Sequence, residues 1–318
     1  MKINSLLFST LILCLIFVNT QAKNYAVLLA GSSGQENYFD QANIYHAYRI
    51  LIDQGFHPDN IITFAYDDLA FSHANPFYGK VFNRQSMEAG INYYKGVKIN
   101  YRGEDITPEF FLEFMEGIGE KSNQFLKSSL NDRIFVYISA NGADMEVFKQ
   151  AIPFPNGKKL SNVDFIYSLN TMYKNKKFKE MIIFIDTYYG AALFQNTVSL
   201  PQNTLIMTST NATAFSTPRF CGENSFVNNI TVTPTSCLAT QFSNFFLSYL
   251  EEMDKNHTTF NGLGDFLNVY PSVDYRVFGD VLIARRTLGD FIGDNKSGNI
   301  IKVGFFSLFC LFISFFAF

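Results

Sequence analysis

Short apolar runs that stop abruptly at small or polar residues constrain this chain most. Tyr25–Ala30 (YAVLLA) ends at Gly31-Ser32-Ser33-Gly34, and Ile61–Tyr66 (IITFAY) at Asp67-Asp68. Ile134–Ser139 ends at Ala140-Asn141-Gly142, Met181–Asp186 (MIIFID) at Thr187-Tyr188-Tyr189-Gly190, and Thr204–Ser209 forms a fifth run. Runs this short and apolar on both faces read as buried strands. Between them lie helical patterns. Gln41–Asp53 carries Ile44, Ala47, Tyr48 and Leu51 on one face, and Gly55 stops it. Thr107-Pro108-Glu109 opens another with a cap, a proline at the first position and an acid at the positive end of the dipole. Val163–Lys174 and Leu238–Met253 read as two more, and Thr187–Ala192 is small enough to turn into a helix. Ser72–Arg102 lacks periodicity and reads as a long irregular segment of the kind that binds ligands. Strands alternating with helices predict an α/β fold, with a mostly parallel sheet and helices on both faces. Ligands of such sheets bind beyond the carboxyl ends of the strands.

With 47% hydrophobic and 17% charged residues in 318, the chain has material for a sizeable core and is not disordered. Its 25 Lys+Arg against 28 Asp+Glu exclude a basic nucleic-acid footprint and a polybasic membrane surface. The 36 Phe and absent Trp read as coding bias plus apolar ends.

Those ends predict three regions. Residues 1–22 have Lys2 as a charged head, Leu6–Val18 as an apolar run and Thr20-Gln21-Ala22 as a small-x-small cleavage site, the pattern of a secretory signal peptide. Residues 23–297 form the globular domain. Residues 298–318 end in GFFSLFCLFISFFAF, which at roughly 22 Å falls short of a hydrocarbon core of about 30 Å. Following the small-residue stretch Asp294–Asn299, this reads as a glycosylphosphatidylinositol (GPI) attachment signal with Asn295 or Ser297 as the attachment residue. The alternative is a tail anchor starting near Ile300. The expected location is the secretory pathway and the cell surface through a lipid anchor, or else the endoplasmic reticulum membrane through a C-terminal helix.

Of four cysteines, Cys14 and Cys310 lie in the two ends, which leaves Cys221 and Cys237 to pair in an oxidising compartment. No CxxC and no Cys/His zinc spacing occurs, so neither metal nor cofactor is expected. Glycan acceptor patterns stand at Asn211, Asn229, Asn256 and Asn295. His46 sits in an apolar-periodic helix, His57 and His73 in loops, and His257 in a sequon, so none follows a buried strand as a general base would. The strand-end loops offer a carboxamide, Asn141, and a phenol, Tyr188. Neither is a base or an activated nucleophile at neutral pH.

Five ordered segments, YAVLLAGSSGQENYFDQANIYHAYRIL, FAYDDLAF with Asn75-Pro76, NYYKGVKINYRGEDITPEFFLEFMEG, IFVYISANG and MIIFIDTYYGAALF, resemble the legumain-type cysteine endopeptidases. That family includes the catalytic subunit of the GPI-anchor transamidase. The likeness runs from about Asn24 to Lys255 and implies a caspase-like fold. It also implies that Asn141 stands where the family has its catalytic His, Tyr188 where it has its nucleophilic Cys, and Asn37 where an Asn orients the His. Phe39 falls at the position of an Arg that reads the substrate's Asn side chain. Asp186 matches the acidic residue at the strand end, as a pocket remnant or as a structural cap of the following turn. Loss of both thiolate and base removes covalent catalysis. The expectation is a non-catalytic binding or regulatory module that holds a peptide or protein in its cleft. The alternatives are a divergent protease or transamidase using Tyr188 or Cys221, and a subunit of a membrane transamidase complex.

Overall fold

The computed structural model describes residues 22–118, 125–141, 150–195, 199–233 and 236–293. In chain order come β1 (Asn24–Ala30), α1 (Tyr38–Asp53), β2 (Ile61–Phe64), α2 (Pro108–Glu116), β3 (Arg133–Ser139), β4 (Ala151–Pro153) and β5 (Lys159–Ser161). Then follow α3 (Asn162–Lys174), β6 (Glu180–Asp186), β7 (Thr204–Thr208), β8 (Pro218–Cys221), β9 (Phe226–Val227), β10 (Ile230–Thr231) and β11 (Cys237–Thr240). The last elements are α4 (Gln241–Glu252), α5 (Phe260–Leu267), β12 (Arg276–Gly279) and α6 (Leu288–Phe291).

A six-stranded sheet runs in the order β12-β7-β6-β3-β1-β2. Five strands are parallel, and β12 joins β7 antiparallel at one edge. Residues two apart share a face of a strand, so Ala26, Leu28, Phe135, Tyr137, Ile182 and Phe184 pack beneath α1, α4 and α5. Val27, Leu29, Val136, Ile138, Ile183 and Ile185 pack against α2 and α3. The predicted α/β architecture, mostly parallel with helices on both faces, is therefore present.

Several local expectations hold. Thr107 caps α2, its hydroxyl accepting from the amide of Phe110, with Pro108 at the first turn. Ser72–Arg102 contains no helix or strand, and Asn75 braces it by donating to the carbonyls of Leu69, Ala70 and Lys80. Two expectations are corrected. The run Leu238–Met253 is not one helix: Cys237–Thr240 pairs with β8, and Thr240 then caps α4. Thr187–Ala192 forms only a single tight turn over Gly190–Leu193.

The register puts Ala30, Ser139 and Asp186 side by side at the carboxyl edge. The chain leaves β1 toward β2 on one side and β3 lies on the other, so this is the point where strand order reverses, the place at which open α/β sheets in general take their ligands. Gly31 is required here. A Cβ would lie 2.4 Å from both the Cβ of Ala140 and the carbonyl oxygen of Pro153.

Candidate active site

Asn141 and Tyr188 leave adjacent strands, β3 and β6. Thr187 ties them together, its hydroxyl donating to the carbonyl of Ala140 at 2.6 Å. The other partner of Asn141 is one that sequence reading passes over, Asp40 on the first turn of α1. Asp40 is wholly buried. Its Oδ1 accepts from Ser139 Oγ at 2.8 Å and Asn141 Nδ2 at 2.9 Å, and its Oδ2 from Ser32 Oγ at 2.6 Å and the Asn141 amide at 2.9 Å. Burial raises the Asp40 carboxyl to about 6, against the downward pull of those four hydrogen bonds. A signal for Asp40 exists in the sequence: it precedes Ile44 and Ala47 by four and seven residues, on the apolar face of its helix.

Asp186 is also wholly buried. It accepts from Ser216 at 2.6 Å and from the hydroxyls of Thr240 and Ser243. Since Thr240 and Ser243 belong to the start of α4, Asp186 links the sheet edge to that helix. Asn141 reaches the carbonyl of Asp186 at 3.4 Å, while its own Oδ1 is buried without a hydrogen-bond partner.

The Tyr188 ring is partly exposed and meets Phe215 edge-on, with centroids 5.6 Å apart. Burial, and then the carboxylates of Asp40 and Asp186, push its phenol up to about 12. Tyr189 holds a left-handed backbone at φ 54° and also packs on Phe215. Asn37 donates to the carbonyl of Ser33 at 3.5 Å and has no hydrogen bond to Asn141. Phe39 is buried. The structure thus gathers Asn141, Asp186 and Tyr188 at one edge, whereas Asn37 is turned into its own loop.

A buried polar chain runs from this edge. Asn43 donates to Ser139 and Thr240 and accepts from Asn83, whose Oδ1 meets His46 Nδ1 at 2.7 Å. His46 Nε2 faces Glu251 at 3.0 Å, and Glu251 also pairs with Arg84 at 2.8 Å. Burial lowers the pKa of His46. His46 is thus a clamp between α1 and α4.

Cys221 and Cys237 stand opposite each other on β8 and β11 and are joined by a disulfide. This bond counts against Cys221 as a nucleophile. No three His, Cys, Asp or Glu side chains among the described residues are grouped to hold a metal. Among the sequons, Asn229 and Asn256 are exposed, while Asn211 is partly buried with its amide donating to Asp274. Asn295 and Ser297 lie outside the described residues.

A mostly parallel α/β sheet carries the two strand-end loops of this chain side by side at its carboxyl edge. The chain belongs to the peptidase C13 family, whose profile matches residues 24–292. The chain is similar to hemoglobinase of Schistosoma mansoni, at 34% identity over 74% of this chain and 50% of that protein. Legumain of Canavalia ensiformis shows 33% identity over 62% of this chain and 41% of that protein. Human legumain shows 33% over 60% and 42%. The chain spans about half the length of the curated relatives it matches. Caspase-1 from Spodoptera frugiperda overlays 87% of this chain and 92% of its own at 10% identity and a TM-score of 0.47. The layering described above, together with the family match, defines the fold.

Proposed function

We propose that this chain is a C13-family protein without peptidase chemistry, acting in the secretory pathway as a binding or regulatory module. The observation that carries it is the state of the two strand-end positions. A general base must present a free lone pair to the nucleophile's proton. Asn141 is an amide whose Nδ2 and backbone N–H are both committed to Asp40. The nucleophile must ionise easily. Tyr188 instead has its phenol pushed up to about 12, by burial and then by two buried carboxylates.

The apolar C-terminal run supports attachment to the cell surface through a GPI lipid, and the exposed Asn229 and Asn256 are suited to carry glycans. Among the described residues no helix is long and apolar enough to cross a membrane. Phosphatidylinositol-specific phospholipase is expected to release the protein from cells; retention in the membrane fraction favours a tail anchor and a place in a membrane complex.

The deciding experiment is turnover of a peptide library containing Asn and Asp sites by the purified full chain, with human legumain as control. No cleavage is expected. Cleavage that disappears in Tyr188→Phe overturns the proposal.

A further inference from the structure

We infer that the edge formed by Asn141, Tyr188 and Phe215 takes a cationic side chain, lysine or arginine, of a peptide ligand. The inference rests on the binding-module reading and names the chemistry that the module recognises.

Three independent observations lead to it. The first is charge. Three buried or half-buried acids in this protein have a basic partner: Glu180 has Arg133 and Arg286, Glu251 has Arg84 and His46, and Asp67 has Arg102. Among the described residues, Asp40 and Asp186 are held by neutral donors alone, Ser32, Ser139 and Asn141 for one, and Ser216, Thr240 and Ser243 for the other. Hydroxyls and amides satisfy lone pairs but leave the net charge in place. A low-dielectric edge with uncompensated negative charge attracts a cation and repels an anion.

The second is a missing hydrogen bond. Because both N–H groups of Asn141 lie against Asp40, its carbonyl oxygen is directed away from that carboxylate. That oxygen is buried and unpartnered, a loss of about 1–3 kcal/mol unless something donates to it. An ammonium or guanidinium is such a donor. A carboxylate has no proton to give.

The third is the rim. Tyr188 and Tyr189 both pack on Phe215, with centroids 5.6 and 5.1 Å apart, and Phe215 is 51% exposed. The exposed Phe215 ring, with the partly exposed Tyr188 beside it, suits a cation, whose attraction to the ring quadrupole adds to the Coulomb term. A neutral carboxamide would satisfy the second observation alone, whereas a lysine or arginine satisfies all three.

The test uses the full chain and fluorescein-labelled heptapeptides identical except at the central residue, which is Arg, Lys, citrulline, Asn or Glu. Affinities are read by fluorescence anisotropy. Arg and Lys peptides are expected to bind at least tenfold tighter than the other three. Phe215→Ala, at an exposed position, is expected to lower that preference at least fivefold while thermal unfolding stays unchanged. Equal binding of all five peptides overturns the cation inference and leaves the binding-module reading standing. A preference that survives both Phe215→Ala and Tyr188→Ala overturns the assignment to this edge. Binding of none of them overturns the inference and the binding-module reading together.

Discussion

At the amino end of the sheet, Glu180 lies between two arginines. Arg133 donates to one carboxylate oxygen at 2.6 Å and Arg286 to the other at 2.7 Å, with Asp290 3.7 Å from Arg133. At the carboxyl end, Asp40 and Asp186 are buried more completely, yet among the described residues only hydroxyls and amides reach them. At Glu180 the amino end compensates charge as well as hydrogen bonds, so this cluster acts as a clasp that locks β3, β6 and α6 together. The carboxyl end compensates hydrogen bonds alone. Residual charge in a folded core is costly, and where it persists a site is the usual reason.

The contrast is open to direct tests, the largest effect coming at the clasp. Arg133→Met combined with Arg286→Met leaves the Glu180 carboxylate without a cation in a nearly dry setting, and an uncompensated buried charge costs about 3–5 kcal/mol. Urea unfolding should show that loss. A cost below about 1 kcal/mol would mean that the pair is solvated and the two ends alike.

The next effect concerns pH. In the folded chain Asp40 keeps its proton up to about pH 6, against an ordinary value of 3.8. Between those values the folded state binds more protons than the unfolded one, so this group makes stability rise as pH falls. Its contribution is roughly 3 kcal/mol, complete below about pH 4 and lost as pH climbs through 6. Comparing wild type with Asp40→Ala between pH 4 and 7 isolates it, since the variant should lack that slope. Identical slopes would show that Asp40 is unperturbed.

Smaller still is Ser216→Ala, which deletes one hydrogen bond to the Asp186 carboxylate and should cost about 1.5–3 kcal/mol by urea midpoint. Thr107→Ala, remote from both ends, removes the cap of α2 and should cost about 1 kcal/mol. If the cap variant loses more than the Ser216 variant, the carboxyl-edge hydrogen bonds contribute less than the comparison requires.

What was legible in the sequence follows from range. The five parallel strands are apolar on both faces and announce themselves. The edge strand Arg276–Gly279 does not, because its four residues are mostly exposed and pair on one side only. Cys237–Thr240 hides in a helical-looking run because its pairing with β8 is a tertiary event. The residues at the two strand ends, Asn141 and Tyr188, were legible by position. The role of Asp40 was not, since a lone acid in a helix ordinarily faces water.

The sequence by itself determined the α/β sheet, through short apolar runs, and the absence of a thiol and an imidazole at the strand ends, through residue identity. Only the tertiary structure decided which groups surround the buried carboxylates. Ser32 lies 8 residues from Asp40, Asn141 lies 101 away, and Thr240 comes to Asn43 across 197. Such partners meet only once β1, β3, β6 and the helices above them have packed, and packing also excludes the water that would otherwise screen the charge.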